Sequence, residues 1–262
     1  MTEFMISGNM KLADIVSTDK RALVLLPRFG IELGFGDLTV KEVCVSKNIN
    51  IDFFLLMVNV FLNKHFFPNH RLHRLDVDML LAYLENSHKY YLEEKIPYLE
   101  KLFNEFKIVV NQPATRQLEK FFSQYIAEVK EHLAYENETA FRYVAQLSEF
   151  IRNNKPDIFE INYNIGVFQE RHNNIEEKLT DLKNLLIKYF PVAGDRYIRI
   201  RILGELMDFE DDLINHARIE DKVLIPIVEQ LEQKISLSWK NGKNTGNCRT
   251  IGDHKERSCS DC

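Results

Sequence analysis

The sequence predicts an all-α protein: an antiparallel four-helix bundle preceded by a small helical N-terminal domain. Three observations predict it. Gly 10 and Pro 7 are few for 262 residues, so there is little turn chemistry for many short strands. Four long stretches carry apolar residues at helical spacing. The second half of the chain repeats a His and Glu pattern at a fixed interval, as two copies of one helical hairpin would.

The N-terminal domain is expected over residues 1–64 as several short helices. Leu12, Ile15 and Val16 form one apolar face, and Leu23, Leu25, Leu26 and Phe29 form another. Gly30 stops that second helix, and Gly34 and Gly36 make a turn. Thr39 caps a helix through Val43 and Cys44, and Asn50 or Asp52 caps the next, through Leu55, Leu56 and Phe61. Residues 65–77, with Pro68 and three histidines, read as a linker.

The bundle is expected over 78–237. Its first rod runs from about Asp78 to Lys107, with Pro97 as a kink. The second starts at Pro113, a favourable first helical position, and ends near Asn153. The third spans about Pro156 to Tyr189. The fourth spans about Asp195 to Leu237, with a bend at Pro226. Rods of this length measure on the order of 45–60 Å. Residues 238–262, rich in Lys, Asn, Gly and Ser, are expected to form a poorly ordered tail.

Composition narrows the function. A net charge of −5 argues against nucleic acid as a partner. No apolar run reaches the roughly 18–20 residues a membrane span needs, so no membrane role is expected. Four cysteines make no disulfide framework, and a reducing, cytoplasmic setting is expected. Cys248, Cys259 and Cys262 sit in the tail, where reducible thiols are a simpler reading than a zinc site. No Gly-rich phosphate loop, zinc-protease motif or acyl-transfer nucleophile motif is present.

The repeat carries the chemistry. His88, His132 and Glu136 recur 84 residues later as His172, His216 and Glu220. Residues i and i+4 share a helix face, so each His-x-x-x-Glu can present an imidazole and a carboxylate to one point. With His88 and His172 on the other two rods, the core would hold four imidazoles and two carboxylates. An apolar core tolerates such a set only if it is paired or metal-bound. Six such ligands could serve two first-row metals, with Glu136 and Glu220 as bridges. The ferritin-type plan fits less well, because Glu85-x-x-His88 has no second copy. Glu85, Glu176 and Asp212 lie within a turn of these residues and are candidates to orient the imidazoles.

His88, His132-Leu-Ala-Tyr-Glu136, His172 and His216-Ala-Arg-Ile-Glu220, running on into Pro226, resemble the hemerythrin-like di-iron bundle. The resemblance spans about Asp78 to Lys234. Leu12–Val16, Phe29–Glu32 and Thr39–Cys44 resemble the small domain that precedes the bundle in di-iron proteins for repair of iron–sulfur clusters. Where that family has two adjacent cysteines, this chain has Gly34 and Phe35.

The resemblance implies two iron ions in a non-haem centre. Glu136 and Glu220 would bridge them, His88, His132, His172 and His216 would cap them, and nitric oxide or dioxygen could bind at an open position. It implies a role in the nitrosative or oxidative stress response, repairing damaged iron–sulfur clusters, with iron–sulfur proteins as clients. The alternatives are binding or sensing of dioxygen or nitric oxide without iron delivery, and reduction of nitric oxide.

Overall fold

The computed structural model describes residues 5–68, 76–110, 113–153, 163–171, 175–189 and 196–245. Among these the fold is helical, with a single isolated antiparallel bridge between Lys11 and Thr39. His172 and the tail cysteines Cys248, Cys259 and Cys262 lie outside the described residues, as does most of the expected linker.

The N-terminal segment forms α1 (Leu12–Thr18), α2 (Ala22–Leu25) with a 3₁₀ turn (Leu26–Phe29), α3 (Val40–Ser46) and α4 (Ile51–Leu62). Local chemistry sets these ends. Gly30 closes the 3₁₀ turn in the left-handed region at φ 67°, where a Cβ would strain the backbone. Thr39 and Glu42 make a reciprocal capping box at the start of α3. Asn50, rather than Asp52, caps α4 by accepting from Phe53 N.

Four rods follow. The first joins α5 (Val77–Tyr90) to α6 (Ile96–Val109), and the second joins α7 (Pro113–Tyr135) to α8 (Arg142–Asn153). The third contains α9 (Ile165–Arg171) and α10 (Ile175–Asn184). The fourth joins α11 (Arg196–Ile219) to α12 (Ile225–Thr245), so the last helix continues beyond Leu237. The start of the first rod packs on the end of the second (α5 on α8), and α6 packs on α7. Likewise α10 packs on α7 and α11, and α9 packs on α12. These pairings make neighbouring rods antiparallel, in the up-and-down order that short connections allow.

Each rod carries a π-helical turn: Tyr91–Lys95, Glu136–Phe141, Leu185–Tyr189 and Glu220–Leu224. Two of these absorb the expected proline bends. Pro97 and Pro226 have no N–H to donate to the preceding turn. Just before each, the helix widens, so that Ile96 N–H reaches Tyr91 O and Ile225 N–H reaches Glu220 O. The turn at Glu136 forms with no proline after it, so proline is not its cause.

The interior is split into two apolar clusters. One contains Leu99, Phe103, Phe106, Phe122, Ile126, Leu182 and Leu206, from α6, α7, α10 and α11. The other unites Leu80, Leu84, Val144, Leu147, Val228 and Leu231 with Leu25, Phe54 and Phe61 of the N-terminal segment. Each fully buried Leu or Phe contributes about 1.5–3 kcal/mol. The N-terminal helices therefore share a core with one half of the bundle. The 3₁₀ turn rests on α5, and α4 rests on α11. Between the two clusters lies a polar belt.

Candidate metal centre

The belt is built where the π turns fall. His88 ends α5 three residues before one π turn, and Glu136 and Glu220 each open another. His216 sits four residues before Glu220 on α11 and is buried with it. A π turn inserts residues into the helical ladder and re-aims the side chains beside it, and such turns recur at functional sites.

His88, Glu136, His216 and Glu220 are all buried and offer ligand atoms that lie within 4.8 Å of one another. His88 Nε2 faces His216 Nε2 at 3.0 Å and Glu136 Oε2 at 3.3 Å. His216 Nε2 is 3.3 Å from Glu220 Oε1. His132 joins through Glu136, with Nε2 at 2.8 Å from Oε1, and its side chain is 19% exposed. The structure thus brings together five of the six residues that the repeat singled out, and the sixth, His172, lies outside the described residues.

One residue that the spacing did not reveal orients the site. Asn137 Oδ1 can only accept, so His88 Nδ1–H donates to it at 2.8 Å. That fixes the tautomer and leaves the Nε2 lone pair pointing into the cluster, as the outer hydrogen bond of a metal-binding histidine does. Phe141 stacks on the other side of the ring at 5.1 Å. Of the sequence candidates for this orienting role, Glu85 is exposed, and Asp212 is buried against Arg28 instead of an imidazole.

The electrostatics favour a cation. Burial pushes the His216 imidazole below its ordinary pKa, so it is neutral at pH 7 with a lone pair available. Burial and the nearby Glu220 carboxylate push Glu136 up, but the hydrogen bond from His132, first among the contacts that lower it, carries it below the ordinary carboxylate range. Hydrogen bonds alone do not close this arrangement. With the Nε2 of His88 bare, the facing nitrogen of His216 must carry the proton at 3.0 Å. His216 Nδ1 then keeps its lone pair, buried and without a partner. Imidazole nitrogens and carboxylates converging in an apolar surround are a donor set for a first-row transition metal, so the residues present fit one.

This bundle with its buried His and Glu belt is a cation-binding fold. Residues 69–228 match the hemerythrin HHE cation binding domain, and the chain belongs to that family. Over 226 residues it is 23% identical to the iron–sulfur cluster repair protein ScdA of Staphylococcus haemolyticus, an alignment covering 84% of this chain and 98% of that protein. An alignment of that length reaches into the N-terminal segment as well as the bundle. No helix among the described residues is long and apolar enough to cross a membrane.

Proposed function

We propose that this chain is a di-iron protein that supports the repair of damaged iron–sulfur clusters under nitrosative or oxidative stress, in the cytoplasm. The observation that carries the reading is the buried His88, Glu136, His216 and Glu220 cluster. It occurs in a chain similar over 84% of its length to a cluster repair protein. His132 and His172 would complete the ligand set.

Iron held there would supply redox chemistry and a place for nitric oxide or dioxygen. The chain's own residues supply the rest. Asn137 holds His88 in the tautomer that presents Nε2. Burial keeps His216 neutral. The apolar clusters above and below the belt exclude water from it. Among the described members His132 is the one partly exposed to solvent and the natural point for exchange. In the repair role the clients are iron–sulfur proteins, and the iron delivered to them is cargo.

The test is recovery of an enzyme whose cluster has been damaged. The iron-loaded protein should restore activity faster and further than the same amount of free iron, and equal recovery rejects the repair role.

A second reading is reversible binding or sensing of nitric oxide or dioxygen with the iron retained. It is favoured by Gly34 and Phe35, which stand where the resembled repair proteins carry adjacent cysteines. Full retention of iron through repeated cycles of gas binding would select it, and catalytic formation of nitrous oxide would select an enzyme instead.

A further inference from the structure

Beyond the belt, a second buried polar group joins the N-terminal segment to the bundle. Arg28, in the 3₁₀ turn after α2, is 3% exposed, and Asp212 of α11 is 4% exposed. Arg28 Nη2 donates to both Asp212 carboxylate oxygens, at 2.7 and 2.6 Å, and to the Tyr91 hydroxyl at 3.1 Å. Its Nη1 donates to the Tyr83 hydroxyl at 3.5 Å. The guanidinium carbon lies 5.3 Å from the Tyr91 ring centre and 5.4 Å from that of Phe61. Asn86 Nδ2 donates to the Arg28 carbonyl at 3.2 Å, so its backbone is held as well.

The partners of Arg28 are placed with respect to the belt. Asp212 stands one helical turn before His216 on the same helix. Tyr91 stands three residues after His88, at the start of the π turn. Its ring meets that of His216 edge-on, with centroids 5.6 Å apart. A single side chain from the N-terminal segment thus grips both rods that carry these two histidines, next to each of them.

Stability is a weak reason for such a group. Removing two charges from water costs several kcal/mol per ion, and apolar replacements of a buried pair are often neutral or stabilising. A planar guanidinium whose Nη2 spans a carboxylate and one tyrosine hydroxyl while Nη1 reaches a second is, however, a directional clamp.

We infer that Arg28 is a positioning residue of the metal centre: through Asp212 and Tyr91 it sets how α11 and the first rod present His216 and His88. The N-terminal segment is then a working part of the centre and not a tethered module. This inference rests on the metal-binding reading of the belt.

The test uses the full chain in four forms: wild type, Arg28→Lys, Arg28→Met and the double variant Arg28→Met with Asp212→Leu. Ferrous iron affinity, the visible absorption of the cobalt(II)-substituted protein and the melting temperature of the metal-free protein are measured on each. Arg28→Met leaves Asp212 buried and unpaired, so it should lower both melting temperature and affinity. The double variant should regain most of the melting temperature while its affinity stays about 10–100-fold down, with an altered cobalt spectrum. Arg28→Lys keeps the charge facing Asp212 but loses the planar group that also reaches Tyr83 and Tyr91, so it should melt near wild type and still show the altered spectrum. If the double variant does not fold, Arg28→Lys decides the matter by the same spectrum.

Variants that fold and match wild type in affinity and spectrum would leave the pair a structural link only, overturning the inference while the metal reading stands. Failure of wild type to bind either metal would remove both.

Discussion

The Nε2 atoms of His88 and His216 face each other at 3.0 Å in the interior of the bundle, brought there by helices 128 residues apart in the chain. In the absence of a cation His216 must carry the proton shared by this pair, and a metal bound by both nitrogens would take its place. A cation that binds only the folded state should therefore stabilise this protein by mass action, about 4 kcal/mol at a free concentration 1,000 times its dissociation constant. Thermal melts with and without added ferrous iron or zinc should show the shift, and a chelator should reverse it. In His216→Ala the shift should shrink, because one of the two facing nitrogens is gone. An unchanged shift in that variant would place the binding elsewhere.

Asn137 offers a sharper test of how the site is prepared. Its carbonyl oxygen fixes the proton of His88 on Nδ1. Asn137→Ala should lower metal affinity about 10–100-fold, the usual cost of losing an outer hydrogen bond to a metal-binding histidine. Asn137→Asp retains an acceptor at the same position and should recover most of that loss. Metal titration of the two variants checks both statements, and equal affinities for Ala and Asp would rule out the orienting role.

The elements that could be read from the sequence are those set by their neighbours in the chain. Gly30 ends one helical segment and Thr39 begins another through contacts within a few residues, so their roles are visible from residue type, while residue type left the start of α4 to Asn50 or Asp52. Pro113 likewise opens the second rod where its ring geometry allows. The His and Glu repeat was legible because i and i+4 must share a helix face. The π turns were not, since a widened turn has no residue signature: Glu136 and Glu220 both open one, with a proline following only the second. Asn137 was hidden for the same reason, as the residue after Glu136 turns toward His88 only because the helix widens there. Arg28 reads as one cation in the apolar run from Leu25 to Phe29, and its partner lies 184 residues away. Contacts at that separation leave no periodicity to find.

Cys44 gives an alkaline prediction whose sign follows from linkage. Burial pushes its thiol up from 9.0 to about 11. Above pH 9 the unfolded chain loses this proton while the folded chain keeps it. The unfolded state then binds fewer protons, and stability falls with rising pH. The contribution is intact below pH 9 and is lost between pH 9 and 11. Denaturant melts across that range should show a shallower decline in Cys44→Ala than in wild type, whatever the difference in absolute stability at pH 7. The same burial should keep the native thiol unreactive toward alkylating reagents at pH 8.

His172 stands to His216 as His88 stands to His132, since each is followed 44 residues later by the histidine of a His-x-x-x-Glu. If that repeat reflects two equivalent half-sites, His172 is the terminal nitrogen of one cation and His88 that of the other. Glu136 and Glu220 would remain to hold one cation when the histidine of the other is removed. His172→Ala should accordingly bind about one metal ion per chain where wild type binds two, and its remaining ion should still depend on His88. The paired variant His88→Ala with His172→Ala should bind neither ion tightly. Metal analysis after desalting, alongside melting curves to confirm that each variant is folded, measures this directly. Two ions retained in His172→Ala would remove this histidine from the ligand set and leave the second half of the repeat represented by His216 and Glu220 alone.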